Sequence, residues 1–144
     1  MRRIDLKTPL PASAERAWEV LTDTAAWPGW GGLVTSASGS MEPGATWTMC
    51  LRAEPGGPPR RMRPRLVSVD PPRCIAFQTR LGLGAVAILH TFTLEALAPD
   101  RAVLHQAFEI RGPLVRPLWR LVRAGVVQFD ELGDDLARRL DGEV

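Results

Sequence analysis

Apolar and polar residues alternate along most of the chain, and this period of two predicts β-strands. In the first run, RIDLKTPL, the side chains of Ile4, Leu6 and Thr8 alternate with charged ones, and Pro9 ends the pattern. Later runs with the same period cover residues 33–38, 45–53, 61–69, 74–81, 85–97 and 102–110. Turn-forming residues, such as PGGPP at 55–59, separate these runs, and no helical pattern lies between them. The order predicts one antiparallel meander.

A short helical pattern interrupts the strands directly after the first one. Ser13 is placed to cap a helix in which Ala14, Ala17, Trp18 and Leu21 recur at helical spacing. The spacing therefore predicts an amphipathic helix between the first two strands.

The segment after this helix contains two tryptophans in the sequence Trp-Pro-Gly-Trp, followed by two glycines. Proline and glycine in this arrangement interrupt helical periodicity. We therefore expect Trp27 and Trp30 on a turn rather than on a helix. Tryptophan usually anchors a core, an interface or the wall of a ligand site.

The helical period returns at Leu114 and continues to Leu140. One apolar stripe contains Leu118, Leu121, Val122, Phe129, Leu132, Leu136 and Leu140, and the arginines at 116, 120, 123, 138 and 139 lie largely off it. A single helix of this length would be about 40 Å long. Gly125 and Gly133 each lower its stability by up to about 1 kcal/mol relative to alanine.

The parity of the predicted strands sorts their side chains onto two faces. The apolar, inward face carries Trp47, Met49, Leu51, Ile75, Phe77, Leu81, Val86, Ile88, Phe92, Leu104, Phe108 and Ile110. Three polar residues, Thr79, His90 and Gln106, share this inward parity. His90 is the only inward histidine, and an imidazole can transfer a proton near neutral pH. His105 falls on the opposite parity, so we expect it in solvent.

Length and charge narrow the functional classes. With 144 residues, the chain is long enough for one domain with a core, which we expect to span residues 1–144. A net charge of +2 does not indicate nucleic-acid binding. No apolar run approaches the roughly 18 residues of a membrane span, so we expect no stable membrane insertion. The absence of a secretory pattern and the two isolated cysteines, Cys50 and Cys74, predict a cytoplasmic protein.

The sequence lacks the common cofactor and catalytic motifs. It contains no glycine-rich phosphate loop, no Gly-x-Ser-x-Gly nucleophile motif, no metal-ligand spacing and no tyrosine. We therefore expect no cofactor and no metal, and an acid–base reaction would depend on His90.

The order of strand, short helix, about six strands and long helix resembles the SRPBCC superfamily. This superfamily includes START lipid-transfer domains, pollen-allergen-type carriers and polyketide cyclase-like proteins. The similarity lies in PASAERAWEVLTDTAAWPGW (11–30), VSVDPPRCIAF (67–77), FTLEAL (92–97) and the terminal helix. It covers nearly the whole chain. The resemblance implies an α+β helix-grip fold, in which a curved antiparallel sheet of six or seven strands wraps around a long C-terminal helix.

The same resemblance implies a ligand cavity between the sheet and that helix, with the two tryptophans of the turn at its mouth. The predicted ligand-binding residues are Trp27, Trp30, Trp47, Met49, Phe77, Thr79, Ile88, His90, Phe92, Gln106, Phe108, Val122 and Phe129. The tryptophans either close the mouth or fill the core. His90 is either a proton-transferring group or a core histidine hydrogen-bonded to Gln106 or to a backbone carbonyl.

Three functions follow from this interpretation. The first is binding of a hydrophobic small molecule, such as a lipid, a polyketide or an aromatic metabolite. The second is polyketide cyclase or dehydratase-like catalysis through His90. The third is a partner-binding module of the stress-regulator kind. The oligomeric state, monomer or homodimer, stays open.

Two groups of arginines also allow two interpretations each. Arg63 and Arg65 either clamp an anionic ligand group or lie in solvent with their stems on apolar surface. The row of arginines at 116, 120 and 123, beside Trp119, either contacts an anionic membrane or forms an exposed helix face.

Overall fold

The computed structural model describes residues 1–52 and 58–142. Within these residues the chain forms eight β-strands and four α-helices. They are β1 (Arg2–Leu10), α1 (Ala14–Thr22), α2 (Trp27–Trp30), β2 (Val34–Ser38), β3 (Thr48–Arg52), β4 (Pro59–Met62), β5 (Arg65–Asp70), β6 (Cys74–Leu81), β7 (Val86–Ala98), β8 (Arg101–Arg111), α3 (Trp119–Val127) and α4 (Phe129–Asp141). Most of the predicted turn at 55–59 lies outside the described residues.

The strands form two antiparallel sheets rather than the single meander that the sequence predicts. One has five strands in the order β1-β8-β7-β6-β5, and the other has three in the order β2-β3-β4. The sheets meet at a corner, where the Trp47 N–H donates to the Pro64 carbonyl at 2.8 Å and the Leu66 N–H donates to the Ala45 carbonyl at 2.8 Å. The α+β helix-grip fold is confirmed, with its sheet divided at this corner.

The first strand runs from Arg2 through Pro9 to Leu10, so Pro9 does not end it as predicted. β1 lies at the edge of the sheet and pairs only with β8, and an edge strand tolerates a proline. The predicted cap at Ser13 is present, since its hydroxyl accepts a hydrogen bond from the Arg16 N–H at 3.1 Å. This cap starts α1 four residues after the strand.

The tryptophans lie on one turn of helix, so the prediction that they occupy a non-helical turn is wrong. Pro28 occupies the first turn of α2, where a missing N–H breaks no helical hydrogen bond. The Gly31 N–H then closes the turn on the Trp27 carbonyl at 2.8 Å. Leu81 also departs from prediction: it is 41% exposed, because it ends β6 beside the β6–β7 turn.

The predicted long C-terminal helix is divided into α3 and α4. It begins five residues later than predicted, because Pro117 has no N–H for a helical hydrogen bond and turns precede α3. The two helices separate at Gln128, whose carbonyl accepts from the Glu131 N–H in a tighter turn. Leu118 and Leu121, predicted to face the sheet, are 39% and 68% exposed, since other positions of α3 face inward.

Helix α4 supplies the helical part of the core and packs directly on β1. Leu132, Leu136 and Leu140 are fully buried on its inner face. A methyl group on Gly133 would fall 3.1 Å from the Cβ of Thr8 and closer still to its hydroxyl. Glycine at this position therefore allows the helix to approach the sheet closely.

We predict that Gly133→Ala lowers the free energy of unfolding by about 1–3 kcal/mol, because the added methyl forces α4 away from β1. Helix propensity alone predicts the opposite sign, a gain of about 1 kcal/mol. Urea denaturation distinguishes the two. In the control Gly125→Ala the new methyl meets nothing within 4 Å, so a gain of about 0.5–1 kcal/mol is expected. Equal gains in both variants would contradict the close packing.

Candidate functional site

Two concave regions stand out in the described part of the chain. A depression of about 790 Å³ lies on the outer face of the sheet and is open to solvent. Its charged side chains bond to one another, as Arg3 does to Asp5 at 3.1 Å and His105 to Glu95 at 2.9 Å. Because it is open, a molecule bound there would stay largely in contact with solvent. The second region, inside the molecule, is therefore the candidate site.

The interior cavity lies between the sheets and the start of α4, and its volume is about 40 Å³. Strands from both sheets, α2 and α4 contribute to its wall. The lining residues are Trp27, Met49, Leu51, Met62, Pro64, Phe77, Thr79, His90, Phe92 and Phe129. The wall is apolar except for the Thr79 hydroxyl and the His90 imidazole, a composition typical of small-molecule sites.

Seven of the predicted ligand-binding residues line this cavity: Trp27, Met49, Phe77, Thr79, His90, Phe92 and Phe129. The other six, which do not, are Trp30, Trp47, Ile88, Gln106, Phe108 and Val122. Of the three remaining lining residues, Leu51 was predicted on the inward face but not in the ligand site, and Met62 and Pro64 were missed. The signal for them is the parity of their strand region, because Arg63 and Arg65 are exposed and alternate with them.

Trp47 and Gln106 are absent from the wall because other rings stand in front of them. Trp47 is fully buried and packs edge-on against Phe77, with ring centroids 5.3 Å apart. Its indole N–H donates to the Ser40 carbonyl at 2.7 Å. Gln106 lies behind the His90 imidazole. Trp47 therefore acts on the site through Phe77, and Gln106 acts on it through His90.

His90 is enclosed by aromatic rings. Its imidazole stacks on Phe108 with centroids 4.0 Å apart and lies 4.1 Å from Phe92 on its own strand. Phe129, at the start of α4, meets it edge-on at 4.7 Å. Only 9% of the residue is exposed. The rings fix the plane of the imidazole and exclude water from it.

A hydrogen-bonded chain crosses the interior from the sheet to the helix. The amide nitrogen of Gln106 donates to the Phe129 carbonyl at 2.8 Å, which turns the amide oxygen toward His90 Nε2 at 3.0 Å. Since an amide oxygen only accepts, Nε2 carries the proton and donates it. Nδ1 is then the unprotonated nitrogen, and the described residues provide it with no hydrogen-bond donor.

Burial lowers the pKa of His90 to about 3, and the hydrogen bond to Gln106 offsets only part of this effect. Desolvation disfavours the charged imidazolium, and no carboxylate lies in the cavity wall to compensate. The imidazole is therefore neutral at pH 7. In this state it donates through Nε2 and accepts through Nδ1.

The tryptophans of α2 differ in their role. Trp27 is buried and lines the cavity, and its indole N–H donates to the Leu21 carbonyl at 2.8 Å. Trp30 packs edge-on against it with centroids 6.2 Å apart. The Trp30 indole N–H is buried without a hydrogen-bond acceptor. Trp27 therefore forms the wall and Trp30 supports it from behind.

No Asp, Glu, Lys or Arg side chain lines the cavity in the described part of the chain. The side chains of Arg63 and Arg65 are exposed and do not reach the cavity. No group of three histidine, cysteine or carboxylate side chains that could hold a metal ion occurs among residues 1–52 and 58–142. An anionic ligand group would thus have no counter-charge inside the cavity.

A ligand larger than a few atoms requires the wall to move, because typical ligand cavities have volumes of about 300–1,000 Å³. The wall contains elements that can move. Met49 and Met62 have flexible side chains that repack readily. Phe129 follows the break between α3 and α4. The geometry describes a small apolar site whose helical wall begins at the break between α3 and α4.

Comparison with known proteins agrees with this architecture. A model of the family described as polyketide cyclase / dehydrase and lipid transport matches residues 1–141. No curated protein matches the chain. The match to the family model confirms the expected SRPBCC membership.

The described residues contain no helix whose length and apolar character would let it span a bilayer.

Three solved structures show the same fold. The di-domain ARO/CYC protein BexL from the BE-7585A biosynthetic pathway has a TM-score of 0.81 and 17% identity over 98% of this chain, which spans about half (47%) of BexL. A START superfamily protein from Mycobacterium smegmatis has a TM-score of 0.75 and 15% identity, covering 99% of both chains. The Zhui aromatase/cyclase from Streptomyces sp. R1128 has a TM-score of 0.73 and 18% identity, covering 97% of this chain and 93% of Zhui.

The low pKa of His90 predicts a specific loss of stability in acid. Between about pH 6.5 and pH 3 the unfolded chain binds a proton at this residue and the folded chain does not. Stability from this group is therefore present above about pH 6.5 and falls by up to about 1.4 kcal/mol per pH unit below it.

We predict that His90→Gln removes this dependence, so that its free energy of unfolding falls less steeply than that of the wild type between about pH 6 and pH 4. Urea denaturation at each pH measures the slope. Leu97→Gln, at an exposed position that does not line the cavity, is the control and should keep the wild-type slope. A wild-type slope in both variants would show that His90 is not buried in its neutral form.

Proposed function

The chain belongs to the polyketide cyclase / dehydrase and lipid transport family, and we propose that its interior binds a hydrophobic small molecule. The ligand class is a lipid, a polyketide or an aromatic metabolite. The observation that carries the proposal is the apolar cavity, whose wall includes the neutral imidazole of His90. Affinity would come from buried apolar area, at about 25 cal/mol per Å².

The polar groups of the wall restrict the part of the ligand that enters. Nδ1 of His90 accepts a hydrogen bond, and Thr79 supplies a hydroxyl. Burying a charge without a partner is far more costly than burying a hydroxyl. We therefore infer that the buried portion of the ligand is uncharged and carries a donor, such as a phenol or an enol hydroxyl, directed at His90.

Entry of the ligand requires Phe129 to leave its place against His90. The helix is already interrupted at Gln128, and α3 fully buries only Val126. Phe129 is the first residue of α4, directly after this break. Moving α3 together with Phe129 therefore disrupts fewer apolar contacts than moving the rest of α4, whose leucines are all buried. We propose that the site opens at this break.

A polyketide cyclase-type reaction is the second candidate. It is supported by the family description and by the similarity to proteins described as aromatase/cyclases. His90 would then take a proton from a chain held in a near-attack geometry. A pKa of about 3 makes the imidazole a weak base at neutral pH, so binding is the function that the site favours.

Two further inferences concern the whole protein. We propose that residues 1–144 act as one domain in the cytoplasm. Cys50 and Cys74 are both free thiols, which is typical of a reducing compartment.

A partner-binding function of the stress-regulator kind would be favoured if the interior bound no small molecule.

We predict that the protein, purified and extracted with organic solvent, yields a defined apolar compound by mass spectrometry. Thr79→Phe fills the cavity and should weaken binding of this compound at least about tenfold in calorimetry, since a lost polar contact and a clash each cost about 1–3 kcal/mol. The matched control is Gln78→Phe, the neighbouring position on the outer face of β6, which should bind as the wild type does.

Several outcomes separate the candidates. Equal affinities of Thr79→Phe and Gln78→Phe would contradict the interior site. Turnover of a poly-β-ketone that is lost in His90→Gln, while its binding is retained, would establish the cyclase instead. An extract without any bound compound, together with no binding of fatty acids or aromatic polyketides, would contradict both small-molecule functions.

A further inference from the structure

Exposed leucines are concentrated at one end of the molecule. Among the described leucines, six are markedly exposed: Leu81, Leu83, Leu97, Leu114, Leu118 and Leu121. The β6–β7 turn contacts the segment before α3, because the Leu114 N–H donates to the Ala85 carbonyl at 3.3 Å. All of these leucines except Leu97 therefore lie at this end. Leu97 lies near the far end of β7, roughly 40 Å away at 3.3 Å per residue.

Leu83 is the most exposed of them. Its side chain projects entirely into solvent, with a relative exposure of 109%. Its φ angle is +60°, in the left-handed region that disfavours leucine, and it lies between Gly82 and Gly84. A polar or glycine residue would suit such a turn better. An apolar residue here suggests a contact outside the folded chain.

The segment before and within α3 has two exposed flanks. Leu114, Leu118 and Leu121 recur at intervals of four and three, and the N–H groups of Leu118 and Val122 bond four residues back, as in a helix. The arginines at 116, 120 and 123 recur at the same intervals two positions later. At about 100° per residue, positions two apart point about 160° away from each other around a helix. The leucines and the arginines therefore occupy different flanks of this segment, and both flanks are exposed.

The charge at this end has one sign. No Asp or Glu occurs between Asp70 and Glu95 or between Glu109 and Asp130, the two stretches that form the end. The two stretches contain six arginines. Arg73 lies at the far end of β6, and the other five lie at this end: Arg80, Arg111, Arg116, Arg120 and Arg123. Within the described residues, the arginines at 80, 116, 120 and 123 are in no ion pair.

We propose that this leucine–arginine end, formed by residues 80–85 and 111–123, docks on the surface of an anionic lipid bilayer. Exposed leucines and unpaired arginines at the same end of the molecule fit the boundary between headgroups and acyl chains. A second copy of the chain would bring unpaired arginines against arginines, which opposes self-association. An acidic protein would need a matching pocket to bury Leu83. The acyl chains of a bilayer can deform around this side chain, so no preformed pocket is required.

This docking goes beyond the proposed binding of a small molecule and uses other residues. None of the exposed leucines or arginines of this end lines the cavity. Docking requires no helix that crosses the bilayer, and the described residues contain none. The two proposals can therefore fail separately.

The test is flotation of the full chain with vesicles of phosphatidylcholine alone and of phosphatidylcholine mixed with phosphatidylglycerol. We expect binding to the anionic vesicles at about 0.1 M salt and release at about 1 M, where the Debye length falls to about 3 Å. The triple variant Arg116→Gln, Arg120→Gln, Arg123→Gln should weaken partitioning about 100-fold. Leu83→Ser and Leu121→Ser should each weaken it about tenfold.

Matched controls are Leu97→Ser and Arg101→Gln at the opposite end of β7 and β8, where Leu97 is 60% exposed. Both should partition as the wild type does, and all variants should keep the wild-type circular dichroism. Binding that ignores lipid charge, absent binding, or equal losses in the controls would overturn the proposal. So would a dimer in sedimentation velocity that Leu121→Ser dissociates, because a second copy would then occupy this surface.

Discussion

Gln106 joins the inner face of the sheet to the start of α4, and the arrangement of the interior depends on this bridge. Its amide satisfies the Phe129 carbonyl at 2.8 Å and the His90 N–H at 3.0 Å, two groups that would be costly to bury unpaired. It also determines which imidazole nitrogen carries the proton. The close approach of Gly133 to Thr8 holds the helix at the distance that this bridge requires.

Strand parity predicted the central features of the site, because a period of two leaves few choices once apolar side chains define the inner face. It placed His90, Gln106 and Thr79 on one face, and the structure has His90 and Thr79 in one wall with Gln106 behind. Parity could not show that order of depth, since depth depends on ring packing across strands. The resemblance to a known superfamily supplied what periodicity lacks, namely the closure of the sheet around the helix.

The C-terminal helix shows where a periodic pattern is insufficient. Its apolar spacing runs through Gln128 without a gap, whereas the helical hydrogen bonds are interrupted there. Hydrophobic spacing does not record such a local break in the backbone. Leu118 and Leu121 fit the stripe and are nevertheless exposed. The part of the wall that must move for a ligand is thus next to the surface that we assign to a bilayer, which links the two proposals through α3.

The central claim is that His90 is held neutral, with its proton on Nε2, by Gln106 and the surrounding rings. Long-range proton–nitrogen NMR of the histidine side chains measures both properties directly. The account predicts an Nε2-protonated tautomer for His90 whose signals do not change between about pH 7 and pH 5, given its pKa of about 3. Protonation on Nδ1, or titration near pH 6.5 as in an exposed imidazole, would contradict it.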